Sequence, residues 1–133
     1  MQLRDLRDDT LLRVLNVHFD YSSGENRLRS ADLVAERIAP WIASGERLAV
    51  VGDLNAIRGS RTARKLQEAG LRLLPAKGAS YHLNHGLNLF PAIDHVLIAG
   101  GLDYADRPVL VRQAPDGIWP SDHYPLVADL TYR

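Results

Sequence analysis

The sequence contains no cysteine, carries no net charge and has no long apolar run, and each absence excludes a class of protein. Without cysteine among its 133 residues, the protein forms no disulfide, binds no metal through thiolates and uses no thiol nucleophile. Sixteen basic and sixteen acidic residues give a formal net charge of zero. Since nucleic-acid-binding proteins usually carry a basic excess, this balance argues against avid binding of duplex DNA but not against an enzyme that contacts one phosphate.

No stretch approaches the roughly 18 consecutive apolar residues of a membrane-spanning helix. The first ten residues, MQLRDLRDDT, also lack the apolar stretch of a signal peptide. We therefore expect a cytoplasmic protein without a membrane span. Hydrophobic residues make up 46% of the chain and charged residues 24%, which is typical of a globular protein. At this length, residues 1–133 fit a single domain with its own core.

Apolar patterning alternates between strands and helices in the first half of the chain. Short apolar runs at 11–19 (LLRVLNVHF) and 47–53 (RLAVVGD) indicate buried strands. Between them, apolar residues recur at helical spacing over 26–43, which predicts an amphipathic helix that Pro40 kinks or ends early. A second helix is expected over 61–69, after the second strand.

The last third of the chain contains three further apolar runs, IDHVLIAGG, RPVLVRQ and YPLVADLTY, separated by Gly, Pro and Asp. Each run predicts a strand. The order strand, helix, strand, helix and then several strands favours an α/β fold. We expect a layered, mixed β-sheet with helices on one face.

Polar side chains gather where the predicted strands begin or end. The four clusters are Asn16/His18, Asp53/Asn55, Asp94 and Asp122/His123. A strand end holds a side chain rigidly while the adjoining loop leaves it accessible, so catalytic groups often lie there. Any one cluster is equally explained by the ordinary turn chemistry of Asp and Asn. Together, however, these groups suit hard-cation binding and phosphoryl chemistry.

Asp94 stands within PAIDHVLIAG, whose apolar residues imply burial. An unpaired, ionised carboxylate there would be strongly destabilising, so Asp94 needs a partner. A backbone amide or an arginine would serve. A histidine would serve too, and would gain a fixed tautomer from the contact. His123 in PSDHYPL is the candidate histidine.

Four motifs, NVHFD, GDLN, AIDHVLI and SDHYPLVADL, follow one another in the order and approximate spacing of the endonuclease/exonuclease/phosphatase superfamily. The chain resembles that superfamily through nearly its whole length. Its members include pancreatic-type deoxyribonuclease, exonuclease-III-like repair nucleases, inositol polyphosphate phosphatases and neutral sphingomyelinases. The resemblance implies cleavage of a phosphate ester, with Mg²⁺ or Mn²⁺ as cofactor, in a fold that packs two sheets face to face with helices outside.

The resemblance also implies a role for each motif residue. Asp53 would orient or deprotonate the attacking water, and Asn55 would hold that water or a phosphate oxygen. His123 would bind the scissile phosphate, with Asp94 orienting its ring. His18 would donate to the same phosphate.

Further expectations concern the metal and the substrate. Asp122, Asp53 and Asn55 are the expected ligands of the divalent ion. Asn16 is expected to contact the substrate beside His18. For His82 and Asn84, in SYHLNHGLNLF, a substrate-facing role and a simple hydrogen-bonded loop are both open.

Members of this superfamily are about twice as long as this chain, which resembles their C-terminal half. Their first half carries a glutamate that is the principal metal ligand. This chain has four glutamates, and none of them matches that motif: Glu25, Glu36, Glu46 and Glu68.

Two functions therefore stay open. One is a metal-dependent phosphoesterase that acts on a phosphodiester or a phosphomonoester, nucleic acid among them. The other is a non-catalytic half-domain that assembles as a homodimer or with a partner. The apolar runs LLRVLNV and RLAVV show no polar face, which predicts an uncovered sheet face. Through that face two copies would pair symmetrically and imitate the four-layer sandwich of the full fold.

Overall fold

A computed structural model of the protein describes residues 1–132. The strands are β1 (Gln2–Arg4), β2 (Leu11–His18), β3 (Leu48–Asp53), β4 (Arg72–Leu73), β5 (Asp94–Ala99), β6 (Leu102–Tyr104), β7 (Val109–Leu110), β8 (Leu126–Val127) and β9 (Leu130–Tyr132). The helices are α1 (Gly24–Ala43) and α2 (Arg61–Glu68), with a 3₁₀ turn at Pro115–Gly117.

Five strands form the main sheet, in the order β1-β2-β3-β5-β4. Strands β2 and β3 run parallel, because α1 carries the chain from the end of one back to the start of the other. The other neighbours are antiparallel. Two short ribbons, β6–β9 and β7–β8, complete the β-structure of the described residues. The expectation of a mixed sheet is confirmed.

Both helices pack on one face of this sheet. Ala31, Val34 and Ile38 recur at helical spacing on α1 and are buried. They share one core cluster with Val50 of β3 and Leu97 of β5, both fully buried, and with residues of α2. The predicted placement of the helices on a single face is therefore confirmed.

Helix α1 continues past Pro40 to Ala43, where the predicted range 26–43 also ends; of the two effects expected of Pro40, an early end is wrong. Pro40 lacks an N–H donor, but only one further turn follows it. In that turn Trp41 and Ile42 pack against the core cluster and offset the lost hydrogen bond. The backbone N–H of Ser44 then donates to the Pro40 carbonyl at 3.1 Å.

Two of the three predicted C-terminal strands are shorter in the structure. Of RPVLVRQ, only Val109–Leu110 is a strand. YPLVADLTY divides into β8 and β9 because its two ends pair with different strands, β7 and β6. The apolar pattern of the sequence does not show that the two ends of this run pair with different strands.

The sheet face opposite the helices is covered only in part. Val96 and Ile98 of β5 are buried there, beneath Leu126 and Leu130 from the two ribbons. Over β1, by contrast, the side chain of Leu3 is 44% exposed. The sequence predicted an uncovered apolar surface on the runs in β2 and β3, where Ala49 is only 2% exposed; the open region lies beside them, on the edge strand β1. No helix within residues 1–132 is long and apolar enough to cross a membrane.

Candidate active site

Three polar side chains form a row across the main sheet. His18 is paired with Asp53 in the β2–β3 ladder, and Asp53 is paired with Asp94 in the β3–β5 ladder. Paired residues project to the same face, and faces alternate along a strand. Since Val50 faces the helices, Asp53 faces the opposite side. The row therefore lies on the face without helices.

Asp53 is the centre of this row, with a side chain only 13% exposed. Its Oδ2 atom lies 3.6 Å from Nε2 of His18 and 4.0 Å from Nε2 of His123. Its Oδ1 atom accepts the backbone N–H of Asn55 at 2.7 Å. Burial raises the pKa of Asp53, and the charge of Asp94 acts in the same direction. Asp53 is therefore more basic than an exposed aspartate.

The GDLN turn has the backbone that this arrangement requires. Gly52 has φ +127°, and a Cβ there would lie 2.0 Å from the carbonyl oxygen of Val17, so no larger residue fits against β2. Asn55 has φ +46°, in the left-handed region that Asn tolerates. Its Nδ2 donates to the Phe19 carbonyl at 2.9 Å and thereby ties the ends of β2 and β3 together.

The partner predicted for Asp94 is the one that the structure shows. Nδ1 of His123 lies 2.7 Å from Oδ2 of Asp94, and it donates because a carboxylate accepts. Nε2 of His123 remains directed toward Asp53. The contact spans 29 residues of sequence, so Asp94 fixes the ring from a different strand.

Ser80 is a residue that sequence reasoning missed. It is completely buried, and its Oγ accepts the backbone N–H groups of Ile93 at 2.9 Å and Asp94 at 3.0 Å. Its carbonyl accepts the N–H of Tyr124 at 2.7 Å. Ser80 thus links the strand that carries Asp94 to the loop that carries His123. A lone serine has no sequence signal for such a role.

Two tyrosines that the sequence did not indicate also line the site. The cavity measures about 370 Å³, and Tyr21 and Tyr81 lie on its wall with His18, Asp53, Asn55, Ile93, Asp122 and His123. The Tyr81 ring lies 5.1 Å from the His123 ring, centroid to centroid. Tyr21 is 84% exposed on the loop after β2. The floor of the cavity is thus polar, while part of its wall is aromatic.

His82 and Asn84 lie outside this cavity. His82 is 1% exposed and packs between the rings of Trp119, at 4.6 Å, and Tyr124, at 4.2 Å. Its backbone N–H donates to the Asp122 carbonyl at 2.8 Å. Asn84 is exposed, with φ +57° in a turn. Of the two open roles for His82, the structure shows the packed one, which supports the Asp122–His123 loop.

His95, which directly follows Asp94, has a structural role on the helix side. It is 4% exposed, and its Nε2 donates to the Ala56 carbonyl at 2.8 Å, just beyond the GDLN turn. Burial lowers the pKa of His95, which keeps the ring neutral. Asp94 and His95, adjacent in β5, therefore project from opposite faces of the sheet.

The expected metal ligands are only partly brought together. Among the described residues, Asp53, Asp94 and His123 each offer a ligand atom, and these atoms lie within 4.8 Å of one another. Asp122 lines the same cavity, yet its carboxylate is not part of that group. Asn16, which was expected to contact the substrate, is exposed on β2 and does not line the cavity.

Residues 3–123 match the sequence model of the Endonuclease/Exonuclease/phosphatase family. The match covers most of the chain, and the chain belongs to this family. Among curated protein sequences there is no match.

Solved structures show the same fold at low sequence identity. A functionally unknown conserved protein from Enterococcus faecalis is 20% identical, with a TM-score of 0.83, over 99% of this chain and 54% of its own. A mannosyl-6-phosphatase from Bacteroides thetaiotaomicron is 17% identical, with a TM-score of 0.82, over 98% of this chain and 55% of its own. The human Nocturnin catalytic domain with bound sulfate is 16% identical, with a TM-score of 0.73, over 99% and 51%. The chain thus spans about half the length of these proteins.

Proposed function

We propose that this chain carries the hydrolytic groups of a divalent-metal-dependent phosphoesterase, which cleaves a phosphodiester or a phosphomonoester with an activated water. The observation that carries the proposal is the grouping of three side chains: Asp53 and His123 line one cavity, and Asp94 holds the His123 ring from behind, with ligand atoms of all three within 4.8 Å of one another. A buried carboxylate beside an oriented histidine is a combination suited to general acid–base work on a charged ester.

Asp53 is suited to accept a proton from water. Its pKa is raised by burial, and its Oδ1 is held by the Asn55 backbone N–H, so the carboxylate is both basic and fixed. A proton that leaves water for Asp53 produces the hydroxide nucleophile at the carboxylate. Asn55 would hold that water or a phosphate oxygen through its side-chain carbonyl.

His123 is suited to bind the phosphate. Because Nδ1 donates to Asp94, the ring is held with Nε2 toward the cavity. A protonated ring would donate from Nε2 to a phosphate oxygen, where negative charge grows in the transition state. His18, whose side chain is 76% exposed at the rim, would donate from the other side.

A divalent cation, Mg²⁺ or Mn²⁺, fits the donor set in chemical type. Ligand atoms of Asp53, Asp94 and His123 lie within 4.8 Å of one another, and the carboxylates offer the hard oxygen donors that such ions bind. Because Asp94 holds the His123 ring, Asp53 is the carboxylate of this group that would bind the metal. Asp122 would add a ligand from the same cavity wall. Such an ion, when bound, neutralises charge on the phosphate oxygens.

Two of the similar solved structures support a phosphate ester as the ligand proposed for this site. One is a mannosyl-6-phosphatase, and another was solved with a bound sulfate anion. Both ligands carry tetrahedral, anionic oxygens. The aromatic wall at Tyr21 and Tyr81 would contact the organic part of such an ester.

Hydrolysis of p-nitrophenyl phosphate and bis(p-nitrophenyl) phosphate, with Mg²⁺ or Mn²⁺ and after chelation, tests the proposal. Asp53→Ala and His123→Ala should each lower kcat/KM by about 10²–10⁴-fold, since a positioned acid or base contributes that much. The matched controls are Asp129→Ala and His85→Ala, which remove the same groups from exposed positions outside the cavity. Wild-type hydrolysis equal to that of both site variants would refute the proposal.

A second candidate function, a half-domain completed by another chain, is favoured by the open part of the sheet face. Leu3 of β1 is paired with Leu12 of β2 and is 44% exposed, on the side away from the helices. We propose that a second copy covers this region in a homodimer. Light scattering coupled to size exclusion should give twice the monomer mass, and Leu3→Lys should return the monomer. A wild-type monomer at micromolar concentration would contradict this assembly.

The cytoplasmic location expected from the sequence stays a prediction. It is tested by fractionation of the natural host with an antibody against this chain.

A further inference from the structure

We propose that a basic cavity beside the active site is a second phosphate-binding site. It measures about 430 Å³ and is lined by Lys77, Arg107, Arg112 and Asn88, among others. None of these side chains lines the cavity of Asp53 and His123. No aspartate or glutamate of the described residues lines it either.

Arg112 is held in place by its surroundings. One guanidinium N–H donates to Oδ1 of Asn88 at 3.1 Å, and the same oxygen accepts the backbone N–H of Ala79 at 2.7 Å. The guanidinium carbon lies 5.6 Å from the centre of the Tyr124 ring. At Gly78, with φ +99°, a Cβ would lie 2.0 Å from the guanidinium nitrogen. Glycine therefore leaves the space that Arg112 occupies, and the cation is prearranged.

Lys77 and Arg107 supply two further cations without a counter-charge. Both are exposed, and within residues 1–132 neither makes an ion pair. Asp106 precedes Arg107 in the chain but does not line the cavity. Like charges gathered on concave walls focus a positive potential, which attracts an anion. This patch exists although the whole chain has no net charge.

The chemistry of these groups favours phosphate. The guanidinium fork matches two oxygens of a tetrahedral anion, and the ammonium group adds a point charge on a flexible stem. Tyr124, which packs on Arg112, directly follows His123 in the chain. The cavity therefore neighbours the catalytic loop. Its ligand is a phosphate group, either free or as a second phosphate of an extended substrate.

Amide-resolved NMR titration of the full chain with inorganic phosphate, at constant ionic strength made up with chloride, tests the site without any need for turnover. Saturable shifts are expected at 77–78 and 107–112. Lys77→Gln/Arg107→Gln should weaken binding at these amides by about tenfold or more, because it removes two charge-assisted contacts. The control Arg29→Gln/Arg64→Gln removes the same charge from exposed helix positions and should leave the affinity unchanged.

Two results would overturn the proposal. One is a set of shifts confined to 53–55 and 121–123. The other is an equal loss of affinity in both double variants, which would mean a general charge effect. A tetranucleotide of thymidine distinguishes the sources: tighter binding than phosphate, with shifts in both regions, indicates a second phosphate of a long substrate. Binding no tighter than phosphate indicates a free anion. Hydrolytic activity, measured separately, decides the phosphoesterase proposal alone.

Discussion

The two faces of the main sheet are built for different purposes. On the helix side, Leu48, Val50 and Leu97 are fully buried in a continuous apolar core. On the other side, the row of His18, Asp53 and Asp94 crosses the sheet, and the cover is incomplete. Burying carboxylates is unfavourable. The helix-side core therefore supplies the stability that the polar face lacks.

Removal of core volume on the helix side is expected to change the free energy of unfolding more than any other substitution considered for the two faces. Leu97→Ala on the helix side should lower the free energy of unfolding by about 2–5 kcal/mol, because it leaves a cavity in a packed core. Leu3→Ala, on the open region of the opposite face, should cost less than about 1 kcal/mol. Urea denaturation of the two variants measures the difference. Equal losses would show that both faces contribute alike to stability.

Ser80→Ala is expected to lower the free energy of unfolding by an intermediate amount and to disturb the polar face, where Ser80 holds the strand of Asp94. It leaves the partly buried N–H groups of Ile93 and Asp94 without the Ser80 oxygen as acceptor, which costs about 1–3 kcal/mol. Because Asp94 orients His123, kcat should fall more than KM changes. Ser80→Thr, which keeps an acceptor oxygen, should recover part of the activity. A variant with reduced stability but unchanged kcat would limit Ser80 to a structural role.

Asp53→Asn should change stability less than Leu97→Ala or Ser80→Ala, and with the opposite sign. The folded state binds the Asp53 proton more tightly than the unfolded chain does, because burial raises its pKa. Ionisation at neutral pH therefore reduces stability. The asparagine variant should melt at a higher temperature than wild type at pH 7, because its side chain carries no charge to bury. The advantage should vanish below the ordinary aspartate pKa, near 4.

The control for that experiment is Asp106→Asn, which removes an exposed carboxylate outside the site. Its melting temperature should track wild type across the same pH range. If Asp53→Asn melts lower than wild type at pH 7, the hydrogen bonds of the carboxylate outweigh the cost of its burial.

The order of the two helices and the longer strands, and the mixed sheet, follow from apolar periodicity, and the structure confirms them; the short strands β1 and β4 were not predicted. The need of Asp94 for a partner could also be read from its apolar neighbours, and His123 is the partner found. Helical spacing predicted α1 as far as residue 43, but whether Pro40 ends the helix earlier could not be read from the sequence, since it depends on how Trp41 packs. The division of YPLVADLTY could not either, because strand pairing is a non-local choice.

The motif residues and their order can be read from the amino-acid sequence alone, since residue type and position along the chain are local properties. That Ser80 fixes Asp94, and that His82 packs between two rings instead of lining the cavity, follows only from the folded arrangement of segments distant in the chain. That arrangement also gathers Lys77, Arg107 and Arg112 around one cavity. Those cations are as far as 35 residues apart in the chain, counting from 77 to 112, and no motif connects them. Such sites arise from packing between segments, which a local pattern does not encode.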